Sequence, residues 1–316
     1  MKYHFFSCFD RNYAVTGLTL YRSLKALQLD FEFYVCALDR ECYDIIACLA
    51  ERGERLIPVD LAEVERFDPE FAGCRAGRSR AEYIFTLSPV LPGYLFHAFP
   101  GVDMFTYLDA DLFFYRDPEE ILREFEAAHG NALIVEHGFP ERLKWRERLF
   151  GRFNVEFQIY RRGGAEAILA DWRSKCLEWC FDRADNGRFA DQKYLDAWPE
   201  EFAGVVITGN SGAGVAPWNW PERDLNKMIF FHFQGFNFLS PHWASTNCGS
   251  YGNRHNKAIA QLYRDYAGEL KDTAGWLESL LPGGQFSAIK REPRINSGKI
   301  RKIISAAVHH NLLYIP

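Results

Sequence analysis

Residues 105–114 read Phe105-Thr106-Tyr107-Leu108-Asp109-Ala110-Asp111-Leu112-Phe113-Phe114. An apolar run of strand length, residues 102–108, ends on two carboxylates two places apart, and a second apolar run follows. On an extended segment, residues i and i+2 face one side, so Asp109 and Asp111 can converge on a single hard cation such as Mn²⁺ or Mg²⁺. Spacing alone proves little, because Glu63/Glu65, Asp68/Glu70 and Glu124/Glu126 repeat it and read as solvated surface. Position separates the pair: open α/β sheets hold ligands at the carboxyl ends of their strands, and charges flanked by apolar chain need a partner. We therefore read Asp109 and Asp111, with Ala110 between them, as a metal–diphosphate site rather than a bland loop.

Upstream, strand and helix patterns alternate. Residues 3–8, 31–38 and 55–59 are apolar runs of strand length, and 131–136 is a further strand. In 13–27, Val15, Leu18, Leu20, Leu24 and Leu27 fit helical spacing, and 42–49 reads as a second helix. This alternation predicts an α/β sheet with helical crossovers. Asp117-Pro118-Glu119-Glu120 is a helix start, which assigns Asp117 to capping. Downstream, 153–160, 205–208 and 228–233 read as strands and 164–182 as a helix. The loop 209–221, rich in Gly, Pro and Trp, is of a kind that usually carries function.

The 316 residues include 37 Lys plus Arg and 42 Asp plus Glu, a net charge of −5 that argues against nucleic-acid binding. Six basic residues and one acidic one from Lys290 onward make that stretch +5 and leave −10 for the rest. There Ile300, Ile303, Ile304, Ala307, Val308 and Leu312 recur at helical spacing, predicting a basic amphipathic C-terminal helix that either docks on its own domain or lies on an anionic membrane surface. No signal peptide or membrane span is visible. The eight Cys contain no C-x-x-C pair, which suits reduced thiols in a cytoplasmic protein, peripheral at most to the inner face of a membrane. All eight Trp fall at or after Trp145, where their rings serve either core filling or sugar packing.

The segment 107–112 resembles the D-x-D signature of GT-A fold nucleotide-sugar glycosyltransferases, in particular the retaining family eight of lipopolysaccharide galactosyl- and glucosyltransferases and glycogenins. The resemblance implies a Rossmann-like GT-A fold with a mixed central sheet, a UDP-sugar donor, a saccharide or other hydroxyl acceptor, and Mn²⁺ or Mg²⁺ held by the two Asp and a His. Phe231-His232-Phe233-Gln234-Gly235 supplies His232 and Gly235 from the family's H-x-x-G motif, although a His after an apolar strand is also a common core residue. Phe9-Asp10-Arg11-Asn12-Tyr13 resembles the segment that binds uracil and ribose, with helix capping as the other role of Asp10 or Asn12. Ala190-Asp191-Gln192 resembles the family's D-Q step, in which Asp191 orients sugar hydroxyls, or caps a helix, and Gln192 lies beneath the anomeric carbon. Asn154 falls where the family has Asn-x-Gly. Glu156 replaces that Gly and puts a carboxylate near the sugar, as an acceptor contact or a nucleophile. In the loop 210–220, Trp218 and Trp220 point to the acceptor side.

Two departures concern charge. The basic residues that the family places before the D-x-D and after the H-x-x-G are here Phe85 and Phe238, so Arg78, Arg80 or Lys227 would have to neutralise the donor phosphates. Their loss also leaves open a decayed transferase that binds carbohydrate or acts as a scaffold. A sugar-phosphate nucleotidyltransferase is weaker, since Ser7 to Tyr13 contains no Gly. The expected organisation is a transferase domain over 1–285, with a nucleotide-binding half (1–140) and an acceptor-side half (141–285), followed by the tail 286–316.

Overall fold

The computed structural model describes residues 2–288 and 305–316. The first elements alternate: β1 (Tyr3–Phe9), α1 (Ala14–Ala26), β2 (Phe31–Ala37), α2 (Arg40–Glu51) and β3 (Leu56–Asp60). Short helices follow, α3 (Leu61–Phe67), α4 (Pro69–Gly73), α5 (Arg80–Leu87) and α6 (Val90–Ala98), and they lead into β4 (Met104–Leu108) and β5 (Leu112–Phe114). Next come α7 (Glu119–Ala127), β6 (Ala132–Glu136), α8 (Trp145–Phe150), β7 (Phe153–Arg161), α9 (Glu166–Glu178) and α10 (Trp198–Glu201). The rest comprises β8 (Val205–Ile207), β9 (Phe230–His232), β10 (Asn237–Ser240), β11 (Trp243–Ser245), α11 (Lys257–Leu280) and β12 (Leu312–Tyr314).

Local chemistry sets several boundaries. Asp39 accepts from the Cys42 N–H at 2.8 Å and caps α2, and Ser79 and Glu82 form a reciprocal capping box on α5. Asp117 accepts from the Glu119 N–H at 2.9 Å, so its capping role holds, and from the Tyr3 hydroxyl at 2.7 Å, which ties α7 to the first strand.

Seven strands form the central sheet in the order β3-β2-β1-β4-β7-β6-β8. Pairing is parallel from β3 through β4, whereas β7 runs antiparallel to both of its neighbours. The sheet is therefore mixed, and the parallel alternation legible in the first part of the chain stops at β4. Helices cover both faces, so the strands are apolar on both sides. Phe5 and Phe33 join a core with α1 and α11. Phe6 and Tyr34, one residue on, join the opposite core with α6 and α9.

The tail departs from expectation. Residues 305–308 are helical, but Leu312, expected on that helix, opens β12, which pairs antiparallel with β11. The end of the chain thus completes a small three-stranded sheet rather than standing apart. The basic residues Lys290 to Lys302 lie outside the described residues. No described helix is long and apolar enough to cross a membrane. Trp172 and Trp198 are fully buried and meet edge to face at 5.2 Å, in the core-filling role. Trp220 is also a core residue, which corrects its assignment to the acceptor side.

Candidate active site

Only Asp109-Ala110-Asp111 separates β4 from β5, and β5 pairs antiparallel with β9 in a register that sets Leu112 opposite His232. The Phe233 N–H donates to the Asp111 carbonyl at 2.9 Å and locks this crossing. Strand pairing thereby brings one ligand atom from each of Asp109, Asp111 and His232 within 4.8 Å of the others. His232 Nε2 is 3.1 Å from Asp111 Oδ1 and 3.8 Å from Asp109 Oδ2. The Tyr107 hydroxyl donates to the other oxygen of Asp109 at 2.7 Å and fixes its rotation. Ala110 packs against the core beneath.

Behind the imidazole, Nδ1 meets Glu156 Oε2, which also accepts from Asn154 Nδ2 at 2.8 Å. Glu156 is 0% exposed, and its other oxygen has no hydrogen-bond partner. Its position corrects the sequence reading: the carboxylate does not face a sugar but is sealed behind His232. Burial works against charge on His232, yet the carboxylates of Asp111 and Glu156 outweigh it and raise its pKa well above the ordinary value. Burial also raises the pKa of Asp109, with further push from Asp111 and Glu156 and opposition from His232.

Two carboxylate oxygens and an imidazole nitrogen suit Mn²⁺ or Mg²⁺. Three carboxylates around one imidazole leave a negative excess that a divalent cation would offset, so the residues fit such an ion. Among the described residues no other group of His, Cys, Asp and Glu has this geometry.

Two cavities adjoin the triad, one at Asp111 and the other at His232. One, of about 270 Å³, is lined by Asn12, Tyr13, Asp111, Gly235 and Phe238. Gly235 has φ +74°, and a Cβ there would sit 2.7 Å from Asn247 Nδ2, so both backbone and space require glycine. The other cavity, of about 260 Å³, is lined by Arg146, Asn154, Gln192, Trp218, His232 and Tyr251. Trp218 meets the His232 ring edge to face at 5.8 Å, while its indole N–H donates to the His137 carbonyl at 2.6 Å.

The remaining sequence candidates divide. Asp10 caps the turn before α1 by accepting from the Tyr13 N–H at 3.0 Å, and it pairs with Arg80. Arg80 also approaches Asp39 at 3.8 Å, so its charge is already matched, and it lines neither cavity beside the triad. Arg78 donates to the carbonyls of Cys176 and Leu177 at 2.7 Å, and exposed Lys227 also lines neither cavity. None of the three is positioned as the missing phosphate cation. Asp191 starts a short turn without capping it through its side chain. The residue is 4% exposed, and burial raises its pKa to about 7, opposed mainly by a hydrogen bond from Ser88. Ala190, just before it, holds φ 46°, a left-handed conformation that costs a non-glycine residue about 1 kcal/mol and sets the direction of Asp191. Gln192 Nε2 donates to the Phe150 carbonyl at 2.7 Å.

Sequence reading missed Arg146, Tyr251 and His137 in the second cavity, which the fold assembles from segments far apart in the chain. No local pattern marks them.

No family model matches this chain. It is 28% identical over 296 residues, 89% of its length and 92% of the other, to YfnD of Bacillus subtilis (strain 168), described as an uncharacterized protein. Among solved structures it superimposes on the galactosyltransferase LgtC, determined with donor and acceptor sugar analogs, with a TM-score of 0.51 at 15% identity over 94% of this chain and 99% of that one. The glycosyltransferase GlyE of Streptococcus pneumoniae TIGR4 gives a TM-score of 0.52 at 15% identity over 92% and 66% of the two chains. At these identities the likeness shows architecture alone: the chain has the GT-A glycosyltransferase fold, resembling family eight.

Proposed function

We propose that this protein is a metal-dependent glycosyltransferase that moves a sugar from a nucleotide-sugar donor, a UDP-sugar in the simplest case, to a hydroxyl of a saccharide acceptor with retention of configuration. The observation that carries the proposal is the Asp109, Asp111 and His232 cluster at the end of β4, with one cavity at Asp111 and another at His232. Asp109, Asp111 and His232 would hold Mn²⁺ or Mg²⁺, which supplies a Lewis acid for the negative charge of the leaving nucleoside diphosphate. Tyr13 and Asn12 offer a ring face and an amide to a base and ribose, with Asp10 and Arg80 fixing the turn that carries them. Gly235 lets backbone approach the nucleotide closely. Asp191 and Gln192 take the sugar, where a carboxylate and an amide can bond its hydroxyls and offset positive charge at the anomeric carbon.

The test is incubation with Mn²⁺ and a panel of nucleotide sugars. Donor hydrolysis or transfer is expected. If no donor is consumed and no nucleoside diphosphate binds at millimolar concentration, the reading fails. A decayed, carbohydrate-binding transferase is the second reading, favoured by the apolar Phe85 and Phe238 at the two lost basic positions. Glycan binding indifferent to metal and to Asp109 and Asp111 would support it instead.

Glu156 has a role of its own in this scheme. By accepting from Nδ1–H it fixes the tautomer that leaves the Nε2 lone pair for the metal, as carboxylates behind metal-binding histidines do. Glu156→Gln should therefore weaken Mn²⁺ binding about 10–100-fold in a calorimetric titration with UDP present. An affinity unchanged by the substitution would reduce Glu156 to packing.

A further inference from the structure

We propose that the cavity on the Trp218 side of the triad takes a sugar bearing an anionic group, a carboxylate or a phosphate, and that Arg146 is the cation that holds it. The inference deepens the glycosyltransferase reading by naming the chemical class of the acceptor.

Arg146 is the only Lys or Arg among the described residues that line the two cavities adjoining the triad, and no carboxylate lines its own cavity. Its guanidinium is supported by rings instead: it lies 5.0 Å over Tyr251, 5.1 Å over Trp145 and 5.8 Å over Phe150. Such contacts hold a cation without neutralising it. The Arg146 side chain pairs with no carboxylate among the described residues, and its buried Nε has no hydrogen-bond partner. A buried donor left without an acceptor is costly, and a ligand anion would supply one to Nε. Around it Trp218, Phe139 and Phe189 present flat apolar surface, and Asn154, Gln192 and Gln234 present amides. Together they suit the faces and hydroxyls of a sugar ring.

The test compares glucose with glucuronate and glucose 6-phosphate by saturation-transfer NMR titration of the full chain in phosphate-free buffer. The acidic sugars should bind about tenfold more tightly than glucose. Arg146→Gln should abolish that preference, and Arg146→Lys should keep part of it. The preference should survive in Asp111→Ala, which lacks a triad ligand; an unsubstituted chain that turns over no donor yet keeps the preference would refute the transferase reading and leave this one standing. Equal binding of acidic and neutral sugars, or no binding of either, overturns the proposal. So does a preference that persists in Arg146→Gln. Loss of Mn²⁺–UDP affinity in that variant, with the preference intact, would assign the cation to the donor diphosphate and likewise overturn it.

Discussion

Asp111→Ala should lower sugar transfer by about a thousandfold or more and abolish the Mn²⁺ dependence of UDP binding, while the protein stays folded. Asp111 is the carboxylate of the triad nearer to His232 Nε2, at 3.1 Å against 3.8 Å for Asp109. Removing one of three protein ligands takes away stabilisation of the leaving diphosphate, a contribution of several kcal/mol. Folding should be little affected. The backbone bond from the Phe233 N–H to the Asp111 carbonyl keeps the β5–β9 crossing, and relief of repulsion from Asp109 offsets the lost contact between the Asp111 carboxylate and His232. Steady-state kinetics with Mn²⁺ titration, alongside thermal melting, measure both expectations. Activity retained within tenfold would mean that the diphosphate is held by something other than the triad.

The parts of the fold set by local chemistry were legible. The β1-α1-β2-α2-β3 run follows apolar periodicity and caps, and the observed ends fall within about two residues of those expected. Of the triad, Asp109 and Asp111 were legible from their place at a strand end, whereas His232 came only from the resemblance to the H-x-x-G motif, because a His after an apolar strand is also a common core residue. What escaped the reading depended on which segments meet. Glu156 sits on β7 beside Asn154, and only the arrival of β9 shows that its carboxylate backs the imidazole. Residues 312–314 are too few to carry a period, so their pairing with β11 is a tertiary effect. The reading also passed over α11, although Ile259, Tyr263, Tyr266, Leu270 and Leu277, all buried, recur there at helical spacing. The second cavity draws on α8, β7, the turn after Asp191 and the loop around Trp218, so Arg146 could not be read as part of a site from its neighbours in sequence.

Asp191→Asn should make the protein more stable at neutral pH while lowering transfer about a hundredfold. Burial raises the Asp191 pKa from 3.8 to about 7, so ionising this carboxylate costs the folded state more than the unfolded one. Both states are protonated below pH 4, and the penalty is absent there. As pH rises from 4 to 7 the folded state retains a proton that the unfolded state has released, and stability falls throughout that window. Above pH 7 the penalty is complete, on the order of 2–4 kcal/mol. Asparagine does not titrate, so the variant's advantage should be largest at pH 8, with melting raised by about 4–8 °C. At pH 5 the advantage should shrink to about a third. Melting of the two proteins at pH 5 and pH 8 measures it, and an equal gap at both would show that the carboxylate is not held ionised at a cost. A pH-dependent gain in stability paired with loss of turnover would identify a charge kept in the fold for the sugar. A residue that merely packs would lose stability when changed.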